Sequence, residues 1–253
     1  MILNYRSYGR GSTLIILHGL LGSLDNWHTL SKSFAESFQV LTLDQRNHGQ
    51  SPHHNEFNYQ VMAKDLREFM QLQGLGQAHL LGHSMGGKTA MRFALDYPDM
   101  VDRLIVIDIA PKAYPPQHNE IFAALYALDL KTFHNRKEID MALATGIPDF
   151  AIRQFLLKNI SYNEATGFKW KMNLDAIYKN YEKINEAIKA DHKFTHPTLF
   201  IRGGNSHYIE VADEALIKTI FPAAVIATVK GVGHWVHAEA PQELAKLVLD
   251  FLK

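Results

Sequence analysis

A serine set among glycines, a histidine near the end of the chain and an aspartate between them are the side chains of acyl transfer. In "LLGHSMGGKTA" (Leu80 to Ala90), Ser84 stands between Gly82 and the pair Gly86 and Gly87, where an apolar run gives way to a helix-like pattern. Glycine weakens strand and helix interiors alike, so it is kept where a side chain would obstruct the backbone. The run Gly82-His83-Ser84-Met85-Gly86 fits a nucleophile elbow, a strained strand-to-helix turn that presents a serine hydroxyl. A helix starting there also offers unpaired N–H groups and the positive end of its dipole, which suit a developing oxyanion. Five residues alone would equally fit a serine acting as an ordinary helix N-cap.

The base is sought among fourteen histidines. "VGHWVHAEAP" places His234 in a loop after the last strand-like run and before a helix, a poor structural choice but a good position for a general base. His237, three residues on, could pair with it on a metal, but no acidic residue stands at metal-ligand spacing and no metal is expected. His53 and His54 read as solvated loop residues.

Short apolar runs rich in β-branched residues must position these groups. "TLIILHG" (Thr13 to Gly19), "VLTLD" (Val40 to Asp44), "AHLLGHS" (Ala78 to Ser84), "RLIVIDIAP" (Arg103 to Pro111), "PTLFIRGG" (Pro197 to Gly204) and "AVIATVKG" (Ala224 to Gly231) each read as a buried strand. Helical patterns lie between them at Asp25 to Phe38, Tyr59 to Gln73, Met85 to Tyr97, Val211 to Phe221 and Pro241 to Leu252. Buried strands alternating with helices predict an α/β fold with a mostly parallel sheet covered on both faces. The alternation lapses between Lys112 and Lys193, where helix-like stretches (Glu120 to Leu128, Asp149 to Asn159, Asn173 to Lys189) carry hardly any strand. The expected organisation is a core of residues 1–111 and 194–253 with a helical cap, 112–193, inserted between two strands.

The bulk numbers exclude several classes of protein. Twenty-six basic residues balance twenty-six acidic ones, so neither nucleic acid nor an acidic membrane surface is an expected main partner. There is no cysteine, which removes disulfides, thiolate metal sites and a cysteine nucleophile. No run approaches transmembrane length and the N-terminus lacks a signal peptide's apolar stretch, so a cytoplasmic location is expected, without membrane insertion.

Taken in order, "HGLLGSLDNW", "DQRNHGQSP", "GHSMGGKTAM", "VIDIAP", "GGNSHY" and "GVGHWVH" resemble the α/β-hydrolase superfamily over essentially the whole chain. Within it they are similar to the serine esterases of the YbfF and abhydrolase-domain-11 group. The resemblance implies an oxyanion hole made by the amide of Met85, after the nucleophile, and of Leu20, after His18-Gly19. Many relatives have a second glycine after "DxR"; Asn47 occupies that position here. The usual acid follows the seventh strand of the fold, where this chain has "RGGNSHYIE" with Ser206 in the acid's slot. Asp108 is the better candidate. It ends the buried run "LIVID", where a carboxylate is costly without hydrogen-bond partners, and the group places its acid in this "IDIAP" segment. Asp102 opens the same strand at the opposite edge, and Asp44 reads as shaping the loop beside the oxyanion turn. The expected triad is Ser84, Asp108 and His234, with Ser206 orienting Asp108 through a hydrogen bond.

The chemistry this implies is acyl transfer to water with no cofactor. The expected partner is a small ester of short to medium chain, with acyl-CoA thioesters as a further possibility. Phe122, Leu125, Phe155 and Trp170 in the cap could line an acyl pocket or fasten the cap to the core. Lys88, Lys112 and Arg202, near strand ends, read as solvated charge rather than anion ligands. A serine nucleophile sets aside dehalogenase and epoxide hydrolase chemistry. C–C bond hydrolase, peptidase and perhydrolase activities remain as alternatives, as does a slow-turnover small-molecule receptor.

Overall fold

The structure, a computed structural model, describes residues 1–253. Its core elements are β1 (Tyr5–Tyr8), β2 (Thr13–Leu17), α1 (His28–Phe34), β3 (Gln39–Leu43), α2 (Tyr59–Leu72), β4 (Ala78–His83), α3 (Met85–Asp96) and β5 (Val101–Ile107). A long excursion follows through α4 (Asn119–Tyr126), α5 (Arg136–Ala144), α6 (Phe150–Leu157), β6 (Ile160–Asn163), β7 (Gly167–Trp170), α7 (Leu174–Lys179) and α8 (Tyr181–Asn185). The chain returns with β8 (Thr198–Gly203), α9 (Glu214–Ile220), β9 (Ala224–Val229), α10 (Val236–Glu239) and α11 (Pro241–Leu252). None of these helices is long and apolar enough to cross a membrane.

Seven strands form one sheet in the order β1-β3-β2-β4-β5-β8-β9, parallel except for β1, which runs antiparallel to β3. The strands β2, β4 and β5 are buried along almost their whole length, as expected of a parallel sheet covered on both faces. On one face, α1 and α11 supply Phe34, Leu244 and Val248 to an apolar layer with Trp27. On the other, α2 and α3 pack a larger layer that continues into the excursion through Phe122, Leu125 and Ile177.

Register decides which residues meet at the sheet's carboxyl edge. Leu17 pairs with Gly82, His83 with Ile107, and Ile107 with Ile201, so β2, β4, β5 and β8 finish at one level. From β2 the chain goes to β3 on one side, then crosses to β4 on the other. The order thus reverses between β2 and β4, the crevice where ligands bind in open parallel sheets.

The expected strands are present with ends shifted by at most four residues, and the helix over Pro241–Leu252 is found as read. Sequence reading missed five elements, among them the short α10. β1 is an exposed edge strand without a buried run. The hairpin β6–β7, in a segment read as nearly strandless, has only one buried residue per strand. α5 is amphipathic with only Ile139 and Leu143 buried. In addition, the helix read through Lys189 breaks at Asn180 and stops at Asn185.

Candidate active site

Ser84 sits between β4 and α3 with φ 53° and ψ −118°, a left-handed backbone that side chains rarely adopt. Its N–H donates to the Ile107 carbonyl at 3.0 Å, tying the elbow to the end of β5. Its hydroxyl caps no helix N–H, so Ser84 does not perform the N-cap role that the five-residue pattern alone would have fitted. The flanking glycines answer to close contacts. A Cβ on Gly82 would strike the carbonyl of Gly86, and one on Gly86 would strike the carbonyls of Leu17 and His18. The tight packing at these two positions holds the elbow against the loop after β2.

That loop carries Leu20, which lines a cleft with Ser84 and Met85. The amides of Leu20 and Met85 donate to no protein group, leaving two N–H groups beside the serine. Leu21, next in the loop, has φ 56°. Two buried histidines brace it. His18 Nδ1 donates to the Gly19 carbonyl (2.8 Å) while its Nε2 accepts from Gln45 N–H (3.0 Å). His48 donates to the Arg46 carbonyl (2.9 Å) and accepts from Leu21 N–H (3.2 Å). Both rings are therefore neutral donors and acceptors at once, and burial pushes their pKa values down to about 4 and about 3. Asp44, also buried, accepts from Leu24 N–H, Gln50 N–H and the Asn4 amide at 2.7–2.9 Å, shaping this loop. Asn47 has φ 66°, a left-handed conformation that asparagine tolerates better than most side chains. That is how it stands in for a glycine.

Asp108 follows β5 with φ 50° and is fully buried. Its Oδ1 accepts from Gly203 N–H at 2.9 Å, and its Oδ2 accepts from His234 Nδ1 at 2.8 Å and from the Ser206 hydroxyl. Donation to a carboxylate puts the His234 proton on Nδ1 and leaves Nε2 as a base. Tyr208 stacks on the His234 ring with centroids 3.9 Å apart. Ser84 and His234 line one lobe of the cleft together but share no hydrogen bond. Such contacts are often long before substrate binds. The structure thus gathers Ser84, Asp108, His234, Leu20, Met85 and Ser206 at the carboxyl ends of β2, β4, β5, β8 and β9.

Other expectations sort differently. His237 stacks its ring on Trp27, centroids 4.8 Å apart, and lines the same lobe of the cleft as His234. Of the four apolar cap residues, only Phe155 lines the cleft; Phe122 and Leu125 are buried in the core layer. Lys112 and Arg202 are paired with Asp213 (2.7 Å) and Glu214 (2.9 Å). Lys88 corrects the reading of a solvated charge: it is 1% exposed and lines the cleft beside Ser84. Its place, one helical turn after the nucleophile on the same face of α3, was available from the spacing. Sequence reading also missed Tyr59, Tyr114, His118 and Tyr181, all of which line the cleft. Tyr181 Oη accepts from the N–H groups of Gln117 and His118 at 3.1 Å, so its one proton goes to His118 Nδ1 at 2.5 Å. His118 is consequently an Nε2–H donor between the two lobes, held neutral by burial, its pKa pushed down to about 4.

Residues 12–241 match the family model described as the alpha/beta hydrolase fold. The chain is 41% identical over 248 residues to the sn-1-specific diacylglycerol lipase ABHD11 of Mus musculus, covering 94% of this chain and 80% of the relative. It is 36% identical over 246 residues to esterase YbfF of Escherichia coli (strain K12), covering 95% and 91%. A solved structure described as a marine microorganism esterase superposes with a TM-score of 0.97 at 44% identity, over 99% of both chains.

Proposed function

The chain belongs to the alpha/beta hydrolase family, and from that premise we propose that it is a serine esterase cleaving short- to medium-chain carboxylic esters. The relatives described above are named esterases and lipases, so carboxylic ester hydrolysis is the activity of this chain. The observation that carries the serine mechanism is Asp108, a buried carboxylate accepting from His234 beside a strained serine whose hydroxyl caps nothing.

His234 Nε2 removes the Ser84 proton as Oγ attacks the ester carbonyl carbon. The amides of Leu20 and Met85 receive the negative charge on the carbonyl oxygen. His234, its imidazolium stabilised by Asp108, passes the proton to the departing alkoxide. Water then enters, loses its proton to His234 and releases the acid from Ser84. Ser206 and Gly203 N–H act through Asp108, holding the carboxylate plane toward the ring. The lobe lined by Leu20, Met85 and Lys88 holds about 380 Å³, open solvent included, near the low end for ligand pockets, which supports short acyl chains. Acyl-CoA thioesters enter the same reading, since their acyl group meets the same nucleophile.

The test is hydrolysis of p-nitrophenyl esters from acetate to palmitate by the wild type and Ser84→Ala. The reading expects turnover that falls with chain length and disappears in the variant. A folded wild type inert to every ester, or turnover that survives Ser84→Ala, would overturn it.

A further inference from the structure

Two lobes of the cleft diverge from Ser84. One is lined by His234, His237, Trp27 and Phe155; the other by Lys88, Tyr59, Tyr114 and Tyr181. The departing alcohol must take its proton from His234 and so leaves through the first. That assigns the acyl group to the lobe of Lys88.

Lys88 is unusual there. Its ammonium donates to the Glu186 carbonyl at 2.6 Å, with the Asn185 carbonyl at 3.5 Å, and lies 4.9 Å from the Tyr114 ring centroid and 5.7 Å from that of Tyr59. It forms no ion pair, and Glu186 acts on it only from longer range. Burial pushes its pKa down to about 7. A buried charge without a counter-ion is costly, and a clamp between α3 and the end of α8 would need only a neutral donor. An ammonium has three N–H donors, and two carbonyls leave one for the lobe.

We propose that Lys88 receives a carboxylate at the far end of the acyl chain, so that the preferred substrates are hemiesters of short dicarboxylic acids. The inference rests on the esterase reading and names the substrate class within it. A carboxylate entering the lobe supplies the counter-charge that the protein withholds. Lys88 stands one helical turn, roughly 6 Å of rise, beyond Ser84, within the same lobe, so the acids in question are short dicarboxylates.

The experiment compares monoethyl glutarate with ethyl pentanoate, which has the same acyl length and no charge, by pH-stat titration of the released acid. Taking the ratio of the two kcat/KM values within each enzyme cancels any loss common to both esters. The wild type is expected to favour the hemiester by more than about tenfold, the worth of one charge-assisted hydrogen bond. Lys88→Met should bring that ratio to about one or below, and Lys88→Arg should restore part of it. A wild-type ratio of about ten or less, or a ratio that survives Lys88→Met, overturns the proposal while leaving the esterase reading intact. The wild-type ratio decides alone if the methionine variant does not fold. A folded wild type that cleaves neither these esters nor any p-nitrophenyl ester overturns both.

Discussion

Lowering the pH from 7 to 5 places the fold under a load that can be worked from its buried histidines. His18, His48, His118 and His237 have pKa values pushed by burial from 6.5 down to about 4, 3, 4 and 3, and His83 is lowered well below 6.5 for the same reason. Geometry reinforces burial: protonating the acceptor nitrogens of His18 or His48 would set each against a backbone N–H. Below pH 6.5 the unfolded chain takes up protons that the native state refuses. The unfolded state then binds more protons, so stability is complete above about 6.5 and falls as pH drops toward the folded values. Each such histidine removes about 1.4 kcal/mol per pH unit. The fully buried His18 and His48 count in full and the half-buried His118 and His237 for less, giving a slope of about 3–5 kcal/mol per unit. Over the interval from 6.5 to 5, where the unfolded histidines go from half to almost fully protonated, that loss reaches about 3–6 kcal/mol, a large part of the whole stability of many domains. Urea unfolding followed by circular dichroism at pH 7, 6, 5.5 and 5 should show the midpoint collapsing, with an uptake of about two to four protons on unfolding near pH 5.5. His48→Gln, whose amide oxygen can still accept from Leu21 N–H, should lower that uptake by about one proton. A midpoint that is flat from pH 7 to 5 would refute the reasoning.

Asp108→Asn should cost about 10³–10⁴ in kcat, since the asparagine cannot hold the His234 tautomer; steady-state kinetics on an ester that the wild type cleaves read this directly. Ser206→Ala removes one of three hydrogen bonds to Asp108 and should cost about tenfold, worth about 1.4 kcal/mol. A loss as large as that of Asp108→Asn would show the acid's support to be misassigned. Gly82→Ala forces a Cβ against the Gly86 carbonyl and should lower the melting temperature by about 4–12 °C, the effect of roughly 2–3 kcal/mol in a domain of this size. Lys88, lowered to about 7 in the fold from 10.5, should make stability rise as pH climbs above 7, because the unfolded chain keeps a proton that the native state sheds. In Lys88→Met that rise, read from urea midpoints at pH 7 to 9, should flatten.

Much of the site was legible in the sequence because its local chemistry is written in contiguous residues. The elbow around Ser84 needs glycines on both sides, and Asp108 ends an apolar run where a carboxylate has no ordinary reason to be. Asp108 could be singled out as the candidate acid because it ends that run, because the resembling esterases place their acid in "IDIAP", and because Ser206 stands in the usual slot. What stayed hidden depends on contacts between distant segments. Tyr181 fixes His118 across more than sixty residues, |i−j| = 63, and no periodicity predicts such a pair. Lys88 sat in plain view one turn after Ser84, yet lysine on a helix is ordinarily solvated, and only the packing of Tyr59, Tyr114 and the end of α8 reverses that. The missed strands β1 and β6–β7 have the same cause: mostly exposed, they lack the buried apolar run by which the others were read.

The central claim, that Ser84 forms the acyl-enzyme, is tested most directly by exposing the native protein to a fluorophosphonate and locating the adduct by mass spectrometry of its peptides. The account predicts stoichiometric modification of Ser84, slowed in Asp108→Asn, absent in Ser84→Ala and accompanied by loss of ester hydrolysis. Hydrolysis that persists with Ser84 unmodified, or an adduct on another residue that abolishes it, would contradict the account.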